Sequence, residues 1–226
     1  MLRASGETIE GPRRSDWFDV FVDEHGDLVL LLLDLRSSAE SPQEFLAGLV
    51  QTTKTALQRH EPLHTVVGEL EMLLAVHPGV EAGLLILRLS QQDAKVELLN
   101  AGMPTVVNTS PGARLDFYSA QSSPVGRRVG EVHPYELVPL RWGGTWLAVS
   151  DGMLNGCLDE ESVAALCIKL DLSNRGVSLA QASREDLYDA FRGVLATLAT
   201  ARFLRDDATC VLIAADPAAR FQSGIV

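Results

Sequence analysis

Between Asp27 and Asp34 the chain passes through six consecutive apolar residues, Leu28-Val29-Leu30-Leu31-Leu32-Leu33. The run is too short for an ordinary helix, and it fits a central strand buried on both faces. A turn cluster, Asp23-Glu24-His25-Gly26, precedes it, and before that Trp17 to Val22 is aromatic and β-branched. The two runs therefore predict an antiparallel hairpin. Its pairing lays Asp16, just before the first strand, beside Asp34, at the end of the second. Asp34 then has two readings: an acid that ends the strand and begins the loop Arg36-Ser37-Ser38, or a ligand. Three further acids occupy similar strand-edge positions: Asp16, Asp151 in Ser150-Asp151-Gly152, and Asp206 in Arg205-Asp206-Asp207. Four carboxylates at strand ends suggest a shared metal.

The rest of the chain supplies the elements that would carry these acids. Residues 1–12 are polar, with Gly6, Gly11 and Pro12, and are expected to be a flexible, loosely docked lead-in. Ser41-Pro42-Gln43-Glu44 is a helix start, with Ser as N-cap, Pro at the first helical position and Glu three residues after the cap. Phe45, Leu46, Leu49, Val50 and Leu57 continue it at helical spacing to Glu61-Pro62. Val66, Val67, Leu70, Leu73 and Leu74 mark a second amphipathic helix ending near His77-Pro78-Gly79. Leu84–Leu89 and Lys95–Leu99 read as another hairpin, broken by Asn100-Ala101-Gly102-Met103-Pro104. Strands follow at Thr105–Val107, Leu115–Tyr118, Glu136–Leu140 and Thr145–Val149. Helices are expected from Asp159 and Ser183, and a last strand spans Thr209–Ala214, with residues 216–226 a tail. This order argues α+β: two antiparallel sheets covered by helices on the outside, a four-layer α/β/β/α sandwich in one domain over 13–215.

Composition narrows the function. With 226 residues, 46% of them hydrophobic, the chain can bury a substantial core. A formal net charge of −11 repels nucleic acid and anionic lipid and suits cations. No apolar stretch reaches the ~18 residues of a membrane span, and the N-terminus lacks the apolar core of a signal peptide, so a cytoplasmic location is expected. Cys157, Cys167 and Cys210 form no Cys-x-x-Cys pair and head no Cys-x₅-Arg phosphate loop, which excludes a cysteine-based phosphatase. Buried thiols are the expectation. His25, His60, His64, His77 and His133 are read as surface residues rather than ligands.

Separate Asp carboxylates are hard oxygen donors that suit Mg²⁺ or Mn²⁺ rather than zinc. Two such ions about 4 Å apart, bridged by one carboxylate, lower the pKa of a shared water enough for in-line attack on phosphorus. Asp34 is the natural bridge.

Five segments in order carry a family resemblance: Arg14-Ser15-Asp16-Trp17-Phe18-Asp19, Asp34-Leu35-Arg36-Ser37-Ser38-Ala39, Asn100-Ala101-Gly102-Met103-Pro104, Ser150-Asp151-Gly152 and Asp206-Asp207-Ala208-Thr209. From about residue 11 to 214 the chain resembles the metal-dependent protein phosphatases (PPM, protein phosphatase 2C-like) in their bacterial SpoIIE-like branch. The corresponding family patterns are Gly-Gly-Asp-Trp/Tyr-Phe/Tyr-Asp, Asp-Val-x-Gly-x-Gly, Asn-Ala-Gly-His-Pro, Thr/Ser-Asp-Gly and Asp-Asp-x-Thr. The resemblance implies two Mn²⁺ or Mg²⁺ ions, with Asp34 bridging both and catalytically central. Asp151 and Asp206 would hold one ion; Asp16, with the main-chain carbonyl of Leu35, would serve the other directly or through water. Asp19 and Asp207 would have structural hydrogen-bonding roles. It further implies hydrolysis of a phosphoserine or phosphothreonine on a regulatory protein of the anti-sigma antagonist or stress-signalling type.

Two departures bear on this. Arg36-Ser37-Ser38-Ala39 replaces the glycines after the bridging Asp, and Arg14-Ser15 replaces those before Asp16. Either the loop takes another path or the metal site is weakened. Arg13, Arg14 and Arg36 are candidates for substrate-phosphate contacts, or they balance the acids. The alternative function is a catalytically weak or inactive member of the fold that binds a regulatory partner.

Overall fold

A computed structural model of the chain describes residues 1–10, 15–37, 42–110, 114–128, 130–152 and 207–215. They form two compact units, one comprising Glu10–Pro104 and Ser119–Leu140, the other Met1–Ile9, Thr105–Tyr118 and Arg141–Val226. In chain order the elements are β1 (Leu2–Ile9), β2 (Asp16–Val22), β3 (Leu28–Arg36), α1 (Pro42–Gln58), α2 (Leu63–Ala75), β4 (Glu81–Ser90), β5 (Lys95–Ala101), β6 (Val106–Ser110), β7 (Arg114–Tyr118), β8 (Glu136–Pro139), β9 (Thr145–Val149) and β10 (Ala208–Ala215). The class is α+β, with two antiparallel five-stranded sheets, as expected. The helices expected from Asp159 and Ser183 and the tail from 216 lie outside the described residues, as do Cys157 and Cys167. Cys210 is buried in β10.

The first unit carries the sheet β2-β3-β4-β5-β8. β3 lies between β2 and β4, and alternate residues serve its two faces. Val29, Leu31, Leu33 and Leu35 join Leu84, Ile86, Leu99 and Ala101 in a core with α1 and α2. Leu30 and Leu32, on the opposite face, are equally inaccessible. Burying each such leucine contributes roughly 1.5–3 kcal/mol, which makes this strand the chief apolar investment of the unit. α1 turns Leu46, Leu49, Ala56 and Leu57 inward, and α2 turns Leu63, Val66, Val67, Leu70 and Leu74. Leu73, expected in that stripe, falls at its margin and is 38% exposed.

The α1–α2 connection is a Schellman turn: His60 N–H donates to the Leu57 carbonyl at 3.0 Å and Glu61 N–H to that of Ala56 at 3.1 Å. The residue in the left-handed position is His60 (φ 55°) rather than glycine. Its ring accounts for the choice, since Nδ1 donates to Asp23 Oδ2 at 2.7 Å and so ties the turn to the β2–β3 hairpin. Arg88 on β4 completes the tie, donating from Nη2 to the Glu61 carbonyl at 2.8 Å and from Nη1 to Glu97 at 3.0 Å. His60, expected at the surface, is thus a half-buried strut. His133 is buried as well, with Nε2 2.9 Å from Glu71 Oε1 on α2 and Nδ1 2.8 Å from Ser122 Oγ. These polar contacts hold α2 against the 119–135 segment beside a cavity of about 170 Å³.

The second unit carries the sheet β1-β10-β9-β6-β7. β10 and β9 are buried throughout. Residues 2–9 correct the expectation of a loose lead-in: all eight pair with β10, from Leu2↔Ala215 to Ile9↔Ala208. The segment's own alternation is weak and Gly6 interrupts it. Its strand character comes from its partner, whose backbone N–H and C=O groups would otherwise form an open edge.

Asp27, buried beside Asp23 and Ser90, has its carboxyl pushed up from the usual value, first by desolvation and then by the Asp23 charge. A raised carboxylate contributes most favourably below its unfolded pKa, and that contribution is lost as pH rises through the folded value. Asp27→Asn, which keeps an acceptor for Ser90, should therefore raise the melting temperature at pH 7 by up to about 3 °C. The gain should shrink as pH falls into the ordinary carboxylate range. Thermal melts across that range check the sign; a variant less stable at pH 7 would show that the charge is used, not merely tolerated.

Candidate metal centre

The strand register puts the first two acids together. Asp16 is the first residue of β2 and is the direct cross-strand partner of Asp34 on β3. Cross-strand partners share a face, and here it is the face opposite α1 and α2. The Asp34 side chain is 4% exposed, so the pair ends a hairpin face that is otherwise apolar, at Phe18, Val20, Leu30 and Leu32. Asp19 projects to the other face, where Lys54 on α1 meets its Oδ2 at 2.5 Å. That is the structural role expected for it.

Asp34 does not end its strand, contrary to the sequence reading. β3 continues through Leu35 and Arg36, paired with Ala82 and Glu81 on β4. Leu35 N–H also donates to the Ser15 carbonyl at 3.0 Å, and its side chain is in the helix-facing core. None of Leu35, Arg36 or Ser37 has a positive φ. The backbone therefore leaves Asp34 as extended strand through Arg36, and Ser38 and Ala39 lie outside the described residues.

Opposite Asp34 on β4 stands Gly83. A Cβ on Gly83 would lie 2.6 Å from Met103 Sδ and 3.5 Å from Asp34 Cβ, so the missing side chain is the space in which the buried Met103 thioether lies, next to Asp34. Met103 is delivered by a turn that Asn100 closes with both ends of its amide: Oδ1 accepts from Met103 N–H, and Nδ2 donates to the Pro104 carbonyl, each at 3.0 Å. Gly102 is required there on two counts. Its φ is +72°, and a Cβ would meet Pro124 at 2.4 Å. The sequence marked this motif but not Gly83, whose only signal was a glycine opening an apolar strand.

Of the arginines expected near the site, Arg36 Nε donates to Asp34 Oδ2 at 3.2 Å and Nη1 lies 3.8 Å from Glu81. Arg13 and Arg14 lie outside the described residues. In the second unit, Ser150 N–H donates to the Thr209 carbonyl and Thr209 N–H to Ser150 Oγ, both at 2.9 Å. A Cβ on Gly152 would fall 1.8 Å from the Asp207 carbonyl oxygen, so only glycine lets the Ser150-Asp151-Gly152 turn sit on the start of β10. Asp151 thereby stands close to Asp207, itself buried. Asp206, adjacent to it in sequence, lies outside the described residues.

Asp16 and Asp34 fit a hard divalent cation: carboxylates on paired strands, one nearly inaccessible, with a thioether and, among the described residues, no imidazole beside them. Asp23, Asp27 and His60 form a second group with ligand atoms within 4.8 Å of one another. It stands at the closed end of the hairpin, with Asp23 and Asp27 each seven residues from Asp16 and Asp34, roughly 23 Å at ordinary strand rise. Its acceptors are already engaged. Asp23 Oδ1 receives the amides of His25 and Asp27, and Oδ2 receives His60. It forms the strut described above.

Residues 40–216 match the family described as Stage II sporulation protein E (SpoIIE). No curated protein matches the chain in sequence. Solved structures with the same fold include the RsbU and RsbW domains of Rv1364c from Mycobacterium tuberculosis, with TM-score 0.76 and 16% identity over 95% of this chain and 60% of that one. The PP2C phosphatase domain of SpoIIE from Bacillus subtilis, solved with a fragment of its regulatory domain, matches with TM-score 0.70 and 15% identity over 95% and 62%. RsbX in complex with magnesium matches with TM-score 0.67 and 14% identity over 94% of each chain. The chain thus spans less than two thirds of the first and second of these. The α+β sandwich of the PP2C-type serine/threonine phosphatases is its fold, and the chain belongs to the SpoIIE family, the SpoIIE-like branch of the metal-dependent protein phosphatases.

Proposed function

We propose that the protein is a metal-dependent serine/threonine protein phosphatase acting on a phosphoserine or phosphothreonine of a regulatory protein. The observation that carries this reading is the pairing of Asp16 with a nearly inaccessible Asp34 at the end of an apolar hairpin. A carboxylate is left in such a place only when a cation or a set of donors compensates it. Asp34 would bridge two Mn²⁺ or Mg²⁺ ions, with Asp16 and the Leu35 carbonyl serving one and Asp151 and Asp206 the other. Bound divalent ions supply Lewis acidity and lower the pKa of water toward neutrality. The chain's part is to hold the donors in register. Met103 keeps bulk water from one side of Asp34, and no side chain acts as nucleophile.

Arg14 and Arg36 are the residues proposed to face the substrate phosphate. A phosphorylated regulatory protein of the anti-sigma antagonist type is the substrate class proposed, in keeping with neighbours described as an RsbU domain and a cell-fate determinant. Nucleic acid is not expected as a partner of a chain with net charge −11.

Hydrolysis of a generic phosphate ester should require added Mn²⁺ or Mg²⁺ and stop with a chelator. Turnover that survives chelation would overturn the mechanism, and absence of turnover with either ion would favour a binding role for the fold.

Asp34→Asn keeps the volume but removes the bridging charge. Turnover should fall by about two orders of magnitude or more, and stabilisation by Mn²⁺ should be lost. The metal-free melting temperature should stay within about 3 °C of the parent, because the substitution also removes a buried charge. A strongly destabilised variant that keeps its response to Mn²⁺ would make Asp34 a structural acid.

A further inference from the structure

Side chains two apart on a strand share a face, so β3 presents Asp34 and Arg36 together. The guanidinium uses that placement: Nε donates to Asp34 Oδ2 at 3.2 Å, closing one side of the carboxylate. The Asp34 side chain is 4% exposed and that of Arg36 34%, so the arginine stands between a buried acid and solvent. On the next strand Glu81, the register partner of Arg36, has Oε1 3.8 Å from Arg36 Nη1. Its other oxygen is 3.8 Å from Arg127 Nε. Arg36 is therefore suspended between two acceptors, held at hydrogen-bonding distance by one and within reach of the other.

A cation within 4 Å of a carboxylate satisfies it, and it repels a second cation brought to the same oxygens. We propose that Arg36 is a built-in counter-cation of Asp34 that competes with divalent ions for that carboxylate, and that Glu81 is the acceptor to which it moves when the ions bind. This rests on the proposed metal role of Asp34. It deepens that role into a regulatory property: the protein would load metal only when free divalent ion is abundant enough to displace the arginine. The displaced guanidinium, parked at Glu81, would remain beside the site as a cation for the incoming phosphate.

Titration calorimetry of MnCl₂ into the full chain at fixed ionic strength tests this without reference to turnover. Arg36→Gln should bind Mn²⁺ about fivefold tighter or more, since a like charge has left the site. Arg36→Lys, which keeps the charge, should stay nearer the parent, and Glu81→Gln, which removes the parking acceptor, should bind more weakly. Circular dichroism confirms that each variant is folded; should Arg36→Gln not fold, the Glu81→Gln and Arg36→Lys arms still decide. If Asp34→Asn abolishes Mn²⁺ binding but Arg36→Gln binds no tighter than the parent, the counter-cation is overturned and the metal centre stands. If the Asp34→Asn isotherm equals the parent's, the metal centre falls and the competition with it.

Discussion

The site depends first on strand register. β2, β3 and β4 are aligned so that Asp16, Asp34 and Gly83 form one row across the sheet. A slip of one residue would turn Asp34 into the core packed against α1 and α2 and bring Leu33 or Leu35 to its place. The register is specified by the apolar run itself. Val29, Leu31, Leu33 and Leu35 fill the helix-facing core, and Leu30 and Leu32 are buried on the other side, so a slip that carried the acid at the end of the run inward would bury its charge in that core. The same residues that stabilise the unit thus aim its carboxylate.

Polar contacts hold the two ends of this hairpin in different ways. At the closed end Asp23, His60 and Arg88 join the turn to the α1–α2 connection, and both Asp23 oxygens are engaged. At the open end Asp34 meets a half-exposed arginine, Arg36, with a second acceptor, Glu81, near it. Buried charges saturated by neighbours make rigid joints, whereas a charge balanced by a movable partner can exchange it. The contrast separates two Asp-rich groups that composition alone would treat alike.

Much of this was legible in the chain. The β2–β3 hairpin and the juxtaposition of Asp16 with Asp34 follow from a turn of four residues between two apolar runs, because antiparallel pairing leaves no freedom in which residues meet. The positions of α1 and α2 follow from the Pro42 start and the Pro62 break. What was not legible depended on tertiary partners. β1 has too weak an alternation to declare itself without β10. His60 and His133 carry no local sign of burial, since each is placed by acids distant in sequence, Asp23 and Glu71. The role of Gly83 becomes visible only once Met103, from another strand connection, is seen to occupy the space a Cβ would fill. Missing glycines after Asp34 suggested a distorted loop. β3 in fact runs extended through Arg36, while Ser38 and Ala39 lie outside the described residues.

The pairing of β1 with β10 has a temporal side. Thr8 and Thr209 touch hydroxyl to hydroxyl although they are 201 residues apart. At about 5–20 residues per second of synthesis, the earlier strand waits roughly 10–40 s for its partner to be made. The β2–β3 hairpin, by contrast, closes through a turn of four residues and can form locally, within microseconds of emerging. The unit bearing Asp16 and Asp34 is thus open to early formation, while the sheet that β1 and β10 share with β9 can be completed only once β10 has been made.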